Sequence, residues 1–525
     1  MNGKDERSTK EGYLRPVNVA LVTFALVLSM SLSAYGERPS PPGKARHVIL
    51  FVGDGLGPAQ IALGLSYARV IEGRKLALEE LMERASMGVT LNFTHDTVVT
   101  DSAASASQMA TGELTQSEML SLDAEGHSRE TIVEWAERRG MATGLVTNTR
   151  LTHATPAAFA THQISRYVDE QDIAQDIVGS NDIEVLLGGG ARAFIPQGTS
   201  VRDSLPGVPV ELDGRSRRKD DVSLIEVAKR RGYSIADDRE SLLKAKSRSD
   251  KVFGLFADSH LPYDIDRSSG ALDQVPTLDL LTETALEVLE RSGKGFFVVV
   301  EGGRIDHAGH DNDAGTMLRE ILAFDKALAV GMRFQAHHPE TLIIVTADHA
   351  TGGFAFTYSW RSEPLEVALP SGDKYLRRWY YPGKTELEIL GRQTSSFEAI
   401  LNKAGKESER LMEEVKRGTG LVLTPAEARE TLFRDTEGHA VPHDFKEFYA
   451  DYESAPQAML GRALARQTSV VWSSGGHTSD PMLTFGIGPG SEGLRGVYLN
   501  TRIYEVVKKA LEAGNQEFKK SGIQE

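Results

Sequence analysis

The chain has 525 residues, several times the usual length of one domain, so a single small binding module is excluded. Hydrophobic residues make up 40% of the sequence and charged residues 25%, which excludes a disordered or multi-spanning protein. The formal net charge of −15 argues against nucleic-acid binding, and the absence of cysteine excludes disulfides, thiolate catalysis and cysteine-ligated metals. A metal ion would therefore need His, Asp, Glu and hydroxyl ligands.

The N-terminus has the order of a secretory signal. Basic side chains within residues 1–15 precede a nearly uncharged stretch at 17–32, which ends in small residues at Ser33, Ala34 and Gly36. The apolar stretch is short for a spanning helix, which needs about 20 residues, and an uncleaved anchor is the alternative interpretation. We predict a signal peptide at 1–36, a proline-rich linker at 37–46, and a periplasmic or extracellular protein that contacts a membrane only if the segment is retained.

After the linker, short apolar runs alternate with amphipathic segments. The runs are continuous, as is typical of strands buried on both faces of a mostly parallel sheet. The amphipathic segments predict helices on both sides of that sheet, so the predicted fold class is α/β, a helix–sheet–helix sandwich. The predicted strands are 47–52, 87–91, 142–146, 183–187, 252–256, 296–300, 341–345 and 483–487, and the clearest helices are 131–139, 221–231, 277–291 and 317–336.

One region breaks this alternation. Residues 356–467 are polar and helix-prone, with aromatic patches at Trp360 and Trp379 and no clear buried strand. We interpret this region as a large helix-rich insertion that serves as a lid or a dimer-interface subdomain. The catalytic domain then consists of residues 47–355 and 468–525.

Chemically active side chains follow several of the predicted strands. Ligands of open α/β sheets bind outside the carboxyl ends of the strands, so we expect these side chains to meet. Each has an ordinary alternative as a helix cap, a surface ion pair or a loop residue. Together, however, imidazoles and carboxylates at several strand ends indicate a multi-metal hydrolytic site. The residues are Asp54, Glu301, Asp306, His310, Asp348, His349 and His477.

Two further segments carry a serine and an arginine. The stretch TDSAASA at 100–106 predicts a loop followed by a helix that begins near Ser102. An ordinary N-cap is the alternative role for this serine, whereas a helix dipole and a metal ion would make it a nucleophile. Thr155 precedes a proline and is followed by Arg166, and both have ordinary alternatives as a cap and a surface charge.

These segments together resemble the alkaline phosphatase family. TDSAASA and the EGGxIDHxxH pattern are highly specific in combination, whereas GDG or TADH alone would be weak. The resemblance spans nearly all of residues 47–490 apart from the insertion. The matching segments are GDGLG at 53–57, TDSAASA at 100–106, HATPAAFATHQISR at 153–166, EGGRIDHAGH at 301–310, TADH at 346–349 and GGHT at 475–478.

The resemblance implies a role for each residue. It implies that Ser102 is the nucleophile, that Arg166 binds two phosphate oxygens, and that Asp101 supports Arg166. It also implies two zinc ions, one magnesium ion and a homodimer. The implied ligands are Asp306, His310 and His477 for the first zinc, Asp54, Asp348 and His349 for the second, and Asp54, Thr155 and Glu301 for the magnesium.

Two positions depart from part of the family. Some members have aspartate in place of His153 and lysine in place of His307, and others have histidine at both. We expect both residues beside the metal ligands, with His153 a poorer partner for hydrated magnesium than a carboxylate. The alternative for His307 is a solvent-facing side chain without a role.

Charge points to the same chemistry without the family. Three divalent cations, Arg166 and the surrounding carboxylates leave a locally positive site that suits the dianion of a small phosphate monoester. A phosphodiesterase or sulfatase is the nearest alternative, although a sulfatase needs a different local motif and a diester offers Arg166 less charge. A non-catalytic exported protein that binds metal or phosphate is the alternative from another class.

Overall fold

The computed structural model describes residues 44–267, 270–433 and 455–520. The predicted signal peptide at 1–36 and most of the predicted linker lie outside these residues. In the part of the chain that the structure describes, no helix is both long enough and apolar enough to span a bilayer.

A ten-stranded sheet forms the centre of the fold. Its strand order is β16-β2-β15-β8-β1-β7-β3-β4-β6-β5, and only β15 runs antiparallel to its neighbours. The strands along the chain are β1 His47–Val52, β2 Ser86–Leu91, β3 Ala142–Arg150, β4 Val185–Gly189, β5 Ser234–Ala236, β6 Val252–Leu255, β7 Phe296–Glu301, β8 Thr341–Thr346, β9 Ala350–Thr351, β10 Ala355–Phe356, β11 Ser359–Ala368, β12 Lys374–Tyr380, β13 Val470–Val471, β14 His477–Thr478, β15 Met482–Ile487 and β16 Gly496–Leu499.

Helices cover both faces of this sheet. The longest, Ala314–His337, packs against Leu278–Arg291 and Arg304–His310. The α-helices are α1 Pro58–Tyr67, α2 Ala77–Met82, α3 Ser102–Thr111, α4 Ile132–Glu137, α5 Ala154–Ala158, α6 Glu170–Gly179, α7 Val201–Ser204, α8 Leu224–Arg230, α9 Arg239–Arg248, α10 Leu278–Arg291, α11 Arg304–His310, α12 Ala314–His337, α13 Lys384–Gly391, α14 Phe397–Ala404, α15 Ser408–Thr419, α16 Pro425–Leu432, α17 Ala455–Thr468 and α18 Arg502–Lys520.

The predicted α/β sandwich is confirmed, with one correction to its pattern of burial. The central strands β1, β7 and β8 are buried along their whole length. β2 instead alternates buried and open positions, and Met87 and Leu91 are 45% and 37% exposed. The prediction that this run is buried on both faces is wrong, because β2 lies next to the edge strand β16, where less of the sheet is covered.

The region at 356–467 leaves the sheet domain and returns to it at one place. Phe356 of β10 pairs with Val470 of β13, so the two ends of the region lie side by side. In between, α14, α15 and α17 share a small apolar core of their own. The strands β11 and β12 form an exposed antiparallel ribbon that the sequence pattern did not predict.

The helical part of this region contacts the helices beside the sheet's carboxyl edge. The side chain of Arg304 in α11 forms an ion pair with Glu398 of α14 at 3.3 Å. The backbone N–H of Phe397 donates to the Asp313 carboxylate at 2.7 Å. These contacts join α14 to the two helices that follow β7.

Candidate active site

The ends of β1, β7 and β8 bring their polar residues to one edge of the sheet. β1 and β7 are in register, with Val52 opposite Glu301, so the loop carrying Asp54 starts beside Glu301. That loop turns through Gly55, which has φ +73°. A Cβ at Gly55 would lie 2.7 Å from the Cα of Asp306, so only glycine lets the β1 loop approach α11 this closely.

The first ligand group is built around Asp306. The Nδ1 atoms of His310 and His477 donate to the carbonyls of Gly475 and Thr100, at 2.5 and 2.9 Å. The Nε2 atoms of the two rings therefore point at each other, 3.2 Å apart. The same atoms lie 3.3 and 3.7 Å from the Asp306 carboxylate. Lone pairs and a carboxylate that converge in this way are arranged to bind a cation.

The second ligand group joins Asp54, Asp348 and His349. His349 Nε2 lies 3.5 Å from Asp54 Oδ1 and 3.2 Å from Asp348 Oδ2. Both carboxylate oxygens of Asp54 and Oδ2 of Asp348 are buried without a hydrogen-bond partner among the described residues. The other Asp348 oxygen accepts from the backbone N–H groups of Gly55 and His349, at 3.2 and 2.9 Å, which fixes the carboxylate in place.

The third ligand group includes Asp54 again, with Glu301, Thr155 and His153. Thr149 donates to Oε2 of Glu301 at 3.0 Å, whereas Glu301 Oε1 and Thr155 Oγ1 are buried and have no partner within the described ranges. A ligand atom of His153 lies within 4.8 Å of ligand atoms of Asp54 and Glu301. The structure thus brings the predicted magnesium ligands together, with His153 immediately beside them.

Burial has the largest effect on the pKa of these groups. It raises the pKa of Glu301 to about 7 and that of Asp348 to about 6. Burial and the neighbouring carboxylates raise the pKa of Asp54. Burial also lowers the pKa of His349 to about 4 and that of His477 to about 3, so both imidazoles are neutral. Because these carboxylates lie close together and the imidazoles beside them are neutral, all the carboxylates are ionised only when a positive charge lies among them.

This donor set fits divalent cations. A buried polar atom without a partner costs about 1–3 kcal/mol, and several such atoms converge here. Imidazole and carboxylate donors suit zinc, and carboxylate and hydroxyl donors suit magnesium. The unpartnered atoms are Asp54 Oδ1 and Oδ2, Thr155 Oγ1, Glu301 Oε1 and Asp348 Oδ2, again among the described residues.

Ser102 is the first residue of α3, and Asp101 rather than Ser102 caps the helix. The Asp101 carboxylate accepts from the backbone N–H groups of Ala103 and Ala104, at 3.1 and 3.2 Å. This leaves the Ser102 hydroxyl available, and its Oγ lies 3.0 Å from His349 Nε2. The positive end of the helix dipole favours the serine alkoxide over the hydroxyl. The hydroxyl therefore lies directly beside the second ligand group.

Arg166 lies beside Asp101 and His153. Its Nη1 donates to the Asp101 carboxylate at 3.1 Å, and its Nη2 donates to His153 Nε2 at 3.2 Å. Burial, followed by the charge of Arg166, lowers the pKa of His153 well below its usual value, so the ring is neutral. Because Nε2 accepts from Arg166, the ring proton is on Nδ1. His153 then has one nitrogen bound to Arg166 and a proton on the other, so neither nitrogen offers a free lone pair to a metal ion.

His307 is partly buried against Arg304 and His153, and the structure adds a histidine that the sequence did not single out. Arg304 Nη1 donates to His307 Nδ1 at 2.9 Å, and the His307 ring lies 5.4 Å from that of His153 between centroids. The ring centroids of His260 and His307 lie 4.3 Å apart, and His260 Nε2 accepts a hydrogen bond from Arg150 Nη1 at 2.6 Å. The sequence could have indicated His260 in the same way as the other site residues, because His260 follows the carboxyl end of strand β6.

The fold and the site together define the class of protein. Convergent imidazoles and carboxylates at the carboxyl edge of an α/β sheet, with a serine at a helix N-terminus and a partly buried arginine nearby, are the architecture of a metal-dependent hydrolase.

Comparisons with known proteins give the family. A model of the alkaline phosphatase family matches residues 45–513. Alkaline phosphatase 3 of Bacillus subtilis is 30% identical over 516 residues, which cover 95% of this chain and 97% of the relative. The repressible alkaline phosphatase of Saccharomyces cerevisiae is 32% identical over 401 residues, 71% of this chain and 69% of the relative. The crystal structure of the Thermus thermophilus alkaline phosphatase superposes with a TM-score of 0.76 at 29% identity, covering 93% and 99% of the two chains.

The chain belongs to the alkaline phosphatase family. It is an enzyme that hydrolyses phosphate monoesters, as the resemblance implied.

Proposed function

We propose that the enzyme hydrolyses small phosphate monoesters through a covalent phosphoserine on Ser102, with two zinc ions and one magnesium ion. The observation that supports this most directly is the 3.0 Å contact between Ser102 Oγ and His349 Nε2. His349 belongs to the second ligand group, and its Nδ1 lies 4.0 Å from Asp306 Oδ1 of the first group. The nucleophile and the metal ligands therefore form one site rather than two neighbouring ones.

The donor types assign the ions. Asp306, His310 and His477 would hold one zinc ion, and Asp54, Asp348 and His349 the other. Asp54, Thr155 and Glu301 offer only oxygen donors, which suits magnesium. When bound, such cations polarise phosphoryl oxygens and lower the pKa of a neighbouring hydroxyl or water.

The residues of the chain carry out two successive displacements. Ser102 Oγ gives its proton to solvent and attacks phosphorus, the P–O bond to the ester oxygen breaks, and the alcohol leaves with a proton from solvent. Water then attacks the phosphoserine, which releases inorganic phosphate and restores the serine hydroxyl. Arg166 holds two non-bridging phosphoryl oxygens in both steps, because its planar guanidinium matches their geometry. Asp101 keeps Arg166 in place through the 3.1 Å hydrogen bond.

One experiment tests this proposal. The purified protein is assayed on p-nitrophenyl phosphate, its metal content is measured, and labelled phosphate is trapped by acid quench and located by peptide mass spectrometry. We expect turnover, two zinc and one magnesium per chain, and label on Ser102. Turnover with the label on another residue, or full turnover in a protein free of metal, would contradict the proposal.

Substitution of Arg166 by Ala is expected to impair monoester hydrolysis more than diester hydrolysis. With a monoester, the substitution removes two charge-assisted hydrogen bonds to phosphoryl oxygens that carry no ester group. The phosphoryl oxygens of a diester carry less negative charge, so the same hydrogen bonds are weaker and their loss costs less. We expect kcat/KM to fall about tenfold to a hundredfold more for p-nitrophenyl phosphate than for bis-p-nitrophenyl phosphate. Arg129→Ala is the control, since Arg129 is 45% exposed and pairs with Asp123 rather than with a residue of the site. Equal losses on both esters would argue against this role for Arg166.

Metal binding to the metal-free protein is expected to weaken steeply as pH falls from about 8 to about 6. Burial raises the pKa of Glu301 to about 7 and that of Asp348 to about 6, so both hold protons that a cation must displace. Lower pH favours the protonated form and therefore opposes binding. Zinc and magnesium affinities, measured by competition with a chelating dye at several pH values, check this. An affinity unchanged across this range would contradict it.

We further propose that a second copy of the chain covers the β11–β12 ribbon, giving a homodimer. Trp360 and Leu376 are 66% and 62% exposed, and the rings of Trp360 and Trp379 pack edge to face with centroids 5.3 Å apart. Apolar side chains grouped in this way mark an interaction surface, and homo-oligomers are most often twofold dimers.

Removal of this ribbon is expected to weaken the dimer and to preserve catalysis on a small ester. The rings of Tyr358 and Tyr381 lie 5.4 Å apart, so a short glycine-serine linker can replace residues 359–380. Sedimentation equilibrium and kinetics on small and bulky esters check the result. Val497→Ser is the control, because Val497 is 70% exposed on β16, a strand of the central sheet and not of the ribbon. If removal of the ribbon leaves the dimer unchanged while Val497→Ser weakens it, the dimer interface lies elsewhere.

We also propose that the protein is exported to the periplasm or beyond the cell. The basic, apolar and small residues at 1–36 support this. N-terminal sequencing of the protein recovered from the culture medium or from a membrane fraction distinguishes a cleaved signal peptide from a retained anchor.

A further inference from the structure

A second cluster of potential metal ligands lies at the opposite edge of the sheet from the active site. It comprises His47 at the start of β1, His338 directly after α12, and Glu340 directly before β8. One ligand atom from each lies within 4.8 Å of the others. β1 has six residues, so about 20 Å of strand separates this cluster from Asp54. The cluster is therefore not part of the catalytic site.

The backbone holds the three residues together. The N–H groups of Arg46 and His47 both donate to the carbonyl of Glu340, at 2.9 and 3.5 Å. The N–H of Thr341 donates to the carbonyl of His338 at 2.9 Å, which closes a turn between α12 and β8. The spacing of the side chains is thus set by the register of β1 with β8 and by this turn.

His338 is oriented as metal-binding histidines are. Its Nε2 lies 3.1 Å from a carboxylate oxygen of Glu290 on α10, which places the ring proton on Nε2. Its ring stacks on Phe334 with centroids 4.2 Å apart. The remaining nitrogen, Nδ1, lies 3.8 Å from Glu340 Oε1. A carboxylate behind an imidazole that fixes its tautomer is the usual partner of a histidine ligand.

His47 supplies a second imidazole from the core side. Its side chain is 4% exposed, its Nδ1 is buried without a partner in the described part of the chain, and its Nε2 lies 3.8 Å from Glu340 Oε1. Burial, then the charges of Arg46 and His338, lowers the pKa of His47 to about 3, so the ring is neutral. Arg46 itself donates to the carbonyl of Gly293 at 2.5 Å.

We propose that His47, His338 and Glu340 form a zinc site that joins β1 to the turn between α12 and β8, with solvent as the fourth ligand. Two ligands of a tetrahedral zinc ion lie about 3.4 Å apart, and the two measured distances of 3.8 Å are close to this value. Glu340 is 37% exposed in its side chain, so its carboxylate can rotate to close the gap and the ion can enter from solvent. Two imidazoles and one carboxylate are a zinc donor set.

The site would stabilise the fold without taking part in catalysis. A ligand that binds only the folded state raises its stability as the free ligand concentration rises. Zinc at concentrations above those that saturate turnover should therefore continue to raise the Tm of the holoenzyme.

The test compares the holoenzyme with three variants after dialysis against buffered free zinc. His338→Ala and Glu340→Gln each remove one ligand, and His337→Ala is the matched control, an exposed histidine on the preceding residue. Zinc per chain is measured by mass spectrometry, with Tm against zinc concentration and turnover of p-nitrophenyl phosphate. We expect the two ligand variants to hold one zinc fewer than the wild type, to lose the additional rise in Tm, and to keep normal turnover.

The result that overturns the proposal is equally definite. Equal zinc content in Glu340→Gln, His337→Ala and the wild type would show that the cluster binds no zinc. Glu340→Gln keeps the shape of an exposed side chain, so it decides the question even if His338→Ala fails to fold. Turnover reports separately on the catalytic ions, so loss of this site and failure of the proposed mechanism give different results.

Discussion

Replacement of Ser102 by Ala is expected to reduce turnover of phosphate monoesters by at least about a thousandfold. The change removes the hydroxyl that contacts His349 and that follows Asp101, the partner of Arg166. The hydroxyl contacts His349 at 3.0 Å and is not required by any ligand group, so the fold and the bound metals should remain. Single-turnover quench, metal analysis and circular dichroism of the variant check all three expectations.

A second serine of the same helix provides the control. The Ser107 hydroxyl donates to the carbonyl of Met119 at 3.0 Å, one and a half turns beyond Ser102 on α3. Because this hydroxyl also accepts from the backbone N–H of Ser121 at 2.7 Å, Ser107→Ala should cost about 1–3 kcal/mol of stability and change turnover little. Near-normal kinetics in Ser102→Ala, with phosphate trapped on another side chain, would contradict the assignment of the nucleophile.

Replacement of Asp54 by Asn is expected to have opposite effects with and without metals. Asp54 belongs to two ligand groups, so both metal content and turnover should fall. Turnover should fall by more than about a hundredfold, because loss of a residue that only hydrogen-bonds to a metal ligand already costs up to about that much. In the metal-free protein, burial and neighbouring carboxylates raise the pKa of Asp54 above its unfolded value. At neutral pH this carboxyl ionises more readily in the unfolded chain than in the folded one, which opposes folding. Asparagine cannot ionise, so Asp54→Asn should raise the Tm of the metal-free protein. Calorimetry of both forms checks this.

Asp313 offers the matched comparison. This carboxylate is also buried, but it accepts from Thr316, Gln393 and the backbone of Phe397, at 2.7–3.0 Å. Asp313→Asn should destabilise the protein by about 1–3 kcal/mol whether or not metals are present. If Asp54→Asn also lowered the Tm of the metal-free protein, the view that Asp54 is held there for a cation would be wrong.

The sequence indicated the site better than it indicated the geometry inside it. The rule that ligands bind at the carboxyl ends of strands is enough to place Asp54, Glu301 and Asp348 in one site from the sequence alone. The protonation of His153 could not be predicted in this way, because it depends on Arg166 reaching its Nε2 from a distant loop. Contacts of this kind depend on tertiary packing, which local spacing does not encode.

Some strands could be predicted from the sequence and others could not, for reasons that are also physical. The strongly buried central strands were found because continuous apolar runs of six residues are a clear signal, as in β1. Strands β5 and β16 were missed, since they are short and lie at the two edges of the sheet, where fewer apolar residues are needed. The ribbon of β11 and β12 was missed for a related reason, because its exposed residues give no burial pattern.

The position of β2 in the sheet has a consequence for how the chain folds. β2 ends at residue 91, yet its two neighbours in the sheet are β15 and β16, which begin at residues 482 and 496. A ribosome therefore releases β2 long before either partner exists, and its edges stay unpaired until the last strands are synthesised. Pairings this distant along the chain slow folding, because the long loop between them must close first. Chains truncated before β15 should thus lack a native partner for β2 and aggregate through it.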